Sequence, residues 1–301
     1  MPADSSVRSR RPGGIPVPLL FLASGISQYL GAALAVSLFT VVTAAGIAWW
    51  RIAASAVVLL AWRRPWRSRW TRTELLHSAV FGVVLATMNV SFYIAIDHLP
   101  LGTAVAIEFL GPVAVAAITG SGWRDRVAIV LAAGGVVLLS IVELGTGESG
   151  TVVGLIAIGI SGLTWAGYIL LGRRIAARRD GISSLAVGMT AGALFYLPLG
   201  VTVITPVVAD LGRLAAVLGI AVLSSVVPYA LEQVVLRRVT AARFAILLAL
   251  LPVTAALVGA VVLTQVPTPA ELAGIALVCT AIVLSADRPP PQDAASLPAT
   301  S

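Results

Sequence analysis

Apolar residues run along this chain in ten stretches, separated by short turns rich in arginine, glycine and proline. A helix needs about 20 apolar residues to cross the roughly 30 Å hydrocarbon core of a bilayer. Runs of that kind fall at about 15–35, 40–62, 75–96 and 99–119, then in a fifth that follows Arg126 and ends near Val142. Five more follow at about 151–171, 183–204, 214–236, 245–263 and 270–285. The pattern predicts an all-α polytopic membrane protein with ten transmembrane helices. The flanks, 1–14 and 287–301, are polar and Pro-bearing and are expected to be disordered tails.

The fourth run carries the least ordinary polar position. It reads LPLGTAVAIEFLGPVAVAAIT, with Glu108 near its middle and Pro112 one turn later. An ionised carboxylate at that depth costs about 3 kcal/mol even on insertion-based scales. A buried partner, a water-filled cavity or a proton must offset it. Pro112 removes a backbone donor beside the acid. The segment is expected to wall a polar site inside a helix bundle.

Composition agrees and narrows the chemistry. Of the 301 residues, 58% are hydrophobic and 11% charged, against about a quarter charged in soluble domains. All 20 basic residues are arginine. The absence of lysine excludes a P-loop and a lysine Schiff base, and so argues against ATP-driven pumping by this chain alone. The net charge of +7 does not point to nucleic acid, because the arginines sit in turns between apolar runs. Eighteen of them lie in the alternate set of loops that includes both tails, while the opposite set holds only Arg213. The positive-inside rule then puts both termini in the cytoplasm. Arg8, Arg10 and Arg11 before the first run, with Ala33-Leu34-Ala35 near its end, imitate a secretory signal. The repeat described next requires a retained helix instead. No cofactor is expected. His77 and His98 lack metal-ligand spacing, and Cys279 has no disulfide partner.

Sliding the chain by 140 residues brings Pro112 onto Pro252, Gly134 onto Gly274 and Asp125 onto Gln265. Ser24-Gly25 meets Ser161-Gly162 at a slightly different offset. Each half then holds five helices: 15–145 and 146–286. Five is odd, so the second half enters the membrane inverted, with a site expected near the midplane. Gly145 to Gly150 matches GxGxxG, but no strand precedes it. Gly188 and Gly192 form a GxxxG expected to pack within the bundle.

These residues resemble a known family. SGLTWAGYILLGRR (161–174) and the pair Pro252 and Gly274 look like the EamA type of the drug/metabolite transporter superfamily. GTAVAIEFLGPVAVA (102–116) and PYALE (228–232) resemble the bacterial threonine/homoserine exporters within it. Thr264-Gln265 departs from the Gly-Glu usual before the last helix of that family. The resemblance covers about 15–286. It implies ten helices in two inverted repeats around a central cavity, and secondary transport, usually efflux, of amino acids or other small metabolites.

Candidate site residues follow from charge and depth. Glu108 is placed to bind a substrate ammonium or carry a coupling proton; the alternative is a structural acid bonded to a neighbouring helix. Arg51, near the middle of the second run, is placed to grip a substrate carboxylate or to pair permanently with Glu108. Asn89, Tyr93 and Trp165 lie within runs and are candidates to line the cavity, or else to pack and bond between helices. Glu232 and Pro228 are candidates for an inner gate, with snorkelling and plain helix bending as the alternatives. The expected function is export of small neutral amino acids by a proton-coupled, alternating-access transporter, working as a monomer or homodimer in the lipid bilayer. Broad metabolite or drug efflux is the alternative within the class. A membrane-embedded enzyme is the remote one, since no catalytic cluster is visible.

Overall fold

A computed structural model describes residues 16–119, 122–176, 181–228 and 247–286, with 231 and 235. Its helices are α1 (Val17–Leu38), α2 (Ala44–Arg63), α3 (Arg72–Ile96), α4 (Leu101–Glu108), α5 (Leu110–Thr119), α6 (Trp123–Gly145) and α7 (Thr151–Ala176). They continue with α8 (Gly181–Phe195), α9 (Leu197–Val208), α10 (Leu211–Ala221), α11 (Leu250–Val262) and α12 (Pro269–Ala286). A π-helical turn, Val222–Val226, extends α10.

Polar residues at the turns set where the helices begin. Thr43 caps α2 by accepting from Gly46 N at 3.2 Å. Thr71 and Glu74 cap each other's backbone donors at 3.2 and 2.8 Å, so α3 starts a turn before its apolar run. Asp210 accepts from Arg213 N at 2.9 Å and starts α10 ahead of the expected 214. At the far end of α2, Arg64 turns left-handed at φ 46° before Pro65, which stops the helix.

Among the described residues, five helices are long and apolar enough to cross a membrane: α1, α2, α3, α6 and α7. The expected seventh run is not straight. It divides into α8 and α9, bent by 82°. The cause is Pro198, two residues after the bend at Tyr196: it gives no hydrogen bond to the turn before it. With that pair taken as one crossing there are six, and shorter apolar helices cover 101–116, 211–226, 250–262 and 269–285. Large apolar side chains face outward along several helices, including Val130, Val137 and Ile141 of α6 and Ile156 and Leu163 of α7. Exposed apolar surface on that scale suits lipid, where a helix keeps its backbone groups bonded to one another.

Inside, α3 is flanked by α7 and α8, α6 packs along α12, α1 along α11, and α11 meets α4. The Gly188/Gly192 motif does pack internally. A β-carbon on Gly188 would stand 2.9 Å from Ser78 O of α3, and one on Gly192 2.7 Å from Gly82 O. Backbones this close leave room for hydrogen only.

Candidate functional site

The site begins with the prolines and the carbonyls they leave bare. A helical carbonyl accepts from the N–H four residues on, and proline has none. Pro112 therefore strips the carbonyl of Glu108. The continuous fourth helix of the sequence pattern breaks there, with Phe109 between α4 and α5. Gly162 of α7 lies against that carbonyl, where a β-carbon would be 3.0 Å from Glu108 O. Gly111 in turn meets the Gly162 carbonyl.

The Glu108 side chain is buried and bonded to Ser161 Oγ of α7. The same hydroxyl lies 3.0 Å from Met88 O of α3. Trp165, one turn further along α7, packs edge-on against Phe109 at 4.7 Å between ring centroids. It thus braces the break beside the acid.

Arg51 of α2 is built in by the second proline, Pro228. Val227 gives its N–H to Val222 O in the π-turn, and Pro228 has none to give. Leu223 and Ser224 lose their helical donors as a result. Ser27 Oγ of α1 donates to Leu223 O at 2.9 Å. Arg51 Nη2 donates to Ser224 O at 2.7 Å, and its Nε to Ser225 Oγ at 3.2 Å. The guanidinium also lies over the Tyr93 ring of α3, 5.5 Å from its centroid. Tyr93 is fully buried, and its hydroxyl has no hydrogen-bond partner among the described residues.

The geometry brings four of the expected residues to two adjoining places. Glu108 and Trp165 share the α4–α5 break; Arg51 and Tyr93 share the π-turn. No salt bridge joins Arg51 to Glu108 among the described residues, although each acts on the other electrostatically. Asn89 is buried on α3 but spends its amide N–H on Leu85 O of its own helix, at 2.7 Å. Pro228 is buried and acts through the π-turn. Glu232 lies outside the described residues. Ser161, Ser224, Ser225 and Phe109 join the site without standing out in the sequence pattern. The signal that finds Glu108 and Ser224 is a proline four residues downstream of a polar position within an apolar run.

Gln265, where the family pattern has Glu, accepts the first N–H of α4, from Leu101 at 2.9 Å. It holds the start of the helix that ends in Glu108, which is a structural task.

Comparison with known proteins places this arrangement. Residues 152–286 match the EamA-like transporter family. The threonine/homoserine exporter RhtA of Escherichia coli K12 is 34% identical over 276 residues, 90% of this chain and 91% of the exporter. RhtA of Salmonella typhimurium LT2 is also 34% identical, over 274 residues and 90% of each chain. A crystal structure of a protein 17% identical to this one superposes with a TM-score of 0.58, covering 89% of this chain and 95% of that one, and so shares its fold. An identity of 34% over nine-tenths of the chain, on helices suited to lipid, makes this a multi-pass membrane protein that belongs to the EamA-like family of the drug/metabolite transporter superfamily, a family of transporters and not of enzymes.

Proposed function

We propose that this chain exports small neutral amino acids, of the threonine and homoserine kind, across the cytoplasmic membrane in exchange for protons. The substrate class is supported by the exporters it resembles. One observation carries the site: a buried acid, linked to α3 through Ser161, and a guanidinium lying on Tyr93 of α3 are each held by neutral groups and neither by the other. The α3 residues that the two groups reach, Met88 through Ser161 and Tyr93 directly, lie about 7.5 Å apart along the helix axis. A zwitterion suits that pair, with its ammonium on Glu108 and its carboxylate on Arg51. Arg51 commits Nε and Nη2. Among the described residues nothing takes Nη1, which is left for the carboxylate.

Ser161 suits Glu108 to carrying a proton. A hydroxyl has one hydrogen and can also accept. With Glu108 ionised, Ser161 donates to it. With Glu108 protonated, the carboxyl donates to Ser161, which turns its own hydrogen to Met88 O. Either state leaves the Ser161 hydroxyl and the carboxyl oxygen facing it partnered, so the switch avoids the cost of an unsatisfied group there.

Ten helices in two inverted halves, 15–145 and 146–286, with both termini cytoplasmic, complete the proposal. Support comes from paired features. Pro112 and Pro252 each follow a helix break by three residues, at Phe109 and Ala249, 140 residues apart. The partner helices pair likewise: α6 packs along α12, while α1 meets α11 as α7 meets α4 and α5. Alternating access would then be a rocking of the halves about the site.

Uptake of labelled threonine and homoserine into inside-out vesicles tests the reading. Uptake that requires this chain and an inward-acidic gradient is expected. No uptake of either, in vesicles holding folded protein, overturns the amino-acid assignment.

A further inference from the structure

A pair of acids sits at the other end of α4. The turns at 97–100 and 263–268 enclose a cavity of about 130 Å³, lined by Pro100, Thr103, Gln265, Val266, Pro267 and Glu271 among others. Val266 is exposed at its rim, while Thr103 and Glu271 are buried. Glu143, in the last turn of α6, is 4% exposed and lies where α6 packs along α12, one turn beyond the contact of Leu139 with Gly274, so Glu271 and Thr103 both bear on its carboxyl.

The donors do not suffice for two carboxylates. Thr103 has one hydroxyl hydrogen and directs it to Glu271 Oε1 at 3.4 Å. Glu271 Oε2 takes the N–H of Thr268 in the capping turn of α12. Glu143 Oε1 is buried with no donor on it among the described residues. The charged groups bearing on Glu143 are Glu271 from α12 and Glu148 from the turn after α6, and both are acidic. Two neighbouring buried carboxylates repel strongly in a medium of low dielectric. A proton between them turns that repulsion into a short, charge-assisted hydrogen bond and satisfies the orphaned oxygen.

We propose that Glu143 holds a proton, taken up through this cavity, and donates it in a hydrogen bond to the Glu271 carboxylate, and that the resulting carboxyl–carboxylate pair ties the end of α6 to the start of α12. The contact joins the last helices of the two proposed halves. It stands apart from the transport reading, because neither acid touches Glu108 or Arg51 and the pair forms whatever the substrate.

Infrared difference spectroscopy on the purified full-length chain tests it through the C=O stretch of protonated carboxyls, identified by its shift in D2O. Glu143→Gln and Glu271→Gln are each expected to lose the same single band, and the double variant to lose no more than either. Bands unchanged in both single variants, or two bands lost in the double, overturn the proposal. Should those variants fail to fold, Glu108→Gln decides: a protonated-carboxyl band must persist there, and its absence overturns the pair. Melting of the wild-type chain in sodium, potassium and choline salts completes the test. Equal melting temperatures are expected, and stabilisation specific to sodium would overturn the bound proton by putting a metal cation between the acids.

Discussion

Pro228 has no N–H to give, and the consequence reaches a side chain on another helix. The carbonyl it strips, Ser224 O, is where Arg51 Nη2 docks at 2.7 Å. Arg51 uses its planar fork on two acceptors at once, which a lysine cannot reproduce. Arg51→Lys is therefore expected to keep the charge yet lose at least tenfold in transport, read as initial uptake rate at equal protein in the membrane. A rate near wild type would mean that charge alone suffices. Ser161→Ala removes the hydroxyl that serves Glu108 in either protonation state. A hydrogen bond to a charged group contributes about 1.5–3 kcal/mol, so a loss of roughly tenfold or more in gradient-driven uptake is expected. Unchanged uptake would remove Ser161 from the proton path. Glu108 and Arg51 are legible in the sequence because a charge inside an apolar run is costly and stands out. The serines are not, since serine is ordinary in membrane helices and the charged groups they serve here, Glu108 and Arg51, lie on other helices.

Helices reveal what hydropathy does not see. Apolar runs locate the described membrane segments to within about a turn. They do not show that the fourth run breaks at Phe109 or that the seventh bends by 82° at Tyr196. Both interruptions are backbone events within runs that hydropathy reads as continuous, and the prolines beside them, with Glu108 at the first, are their trace. Close packing at the first break is testable. Gly111 stands against the Gly162 carbonyl, whereas Gly134 of α6 has open space where a β-carbon would be. Gly111→Ala is expected to destabilise the protein by about 1–3 kcal/mol through overpacking. Gly134→Ala is expected to be neutral, or to stabilise by up to about 1 kcal/mol through helix propensity. Thermal unfolding of the purified variants compares them; equal effects would contradict the packing described at the break.

At the scale of the molecule, the distribution of arginines and the spacing of Pro112 and Pro252 are enough to draw the proposed topology from the sequence. The side-chain pairs do not follow from it. Partners such as Arg51 and Ser224, 173 residues apart, meet through packing that a linear pattern does not encode. The topology has its own test, helped by a single native cysteine, Cys279. In a Cys279→Ala background, Gly147→Cys is expected to react with an impermeant thiol reagent on intact cells, and Ser68→Cys only after permeabilisation. The reverse pattern would invert the molecule in the membrane.

The most direct test of the central claim, that Glu108 carries the coupling proton, is a comparison in liposomes of wild type with Glu108→Gln. Both should be measured for threonine accumulation driven by a pH gradient and for its dissipation when the gradient is collapsed. Gradient-driven accumulation by the wild type that is absent in Glu108→Gln, with the variant folded and inserted, is the result this account predicts. Accumulation by Glu108→Gln that still follows the pH gradient would contradict it and move the coupling to another group.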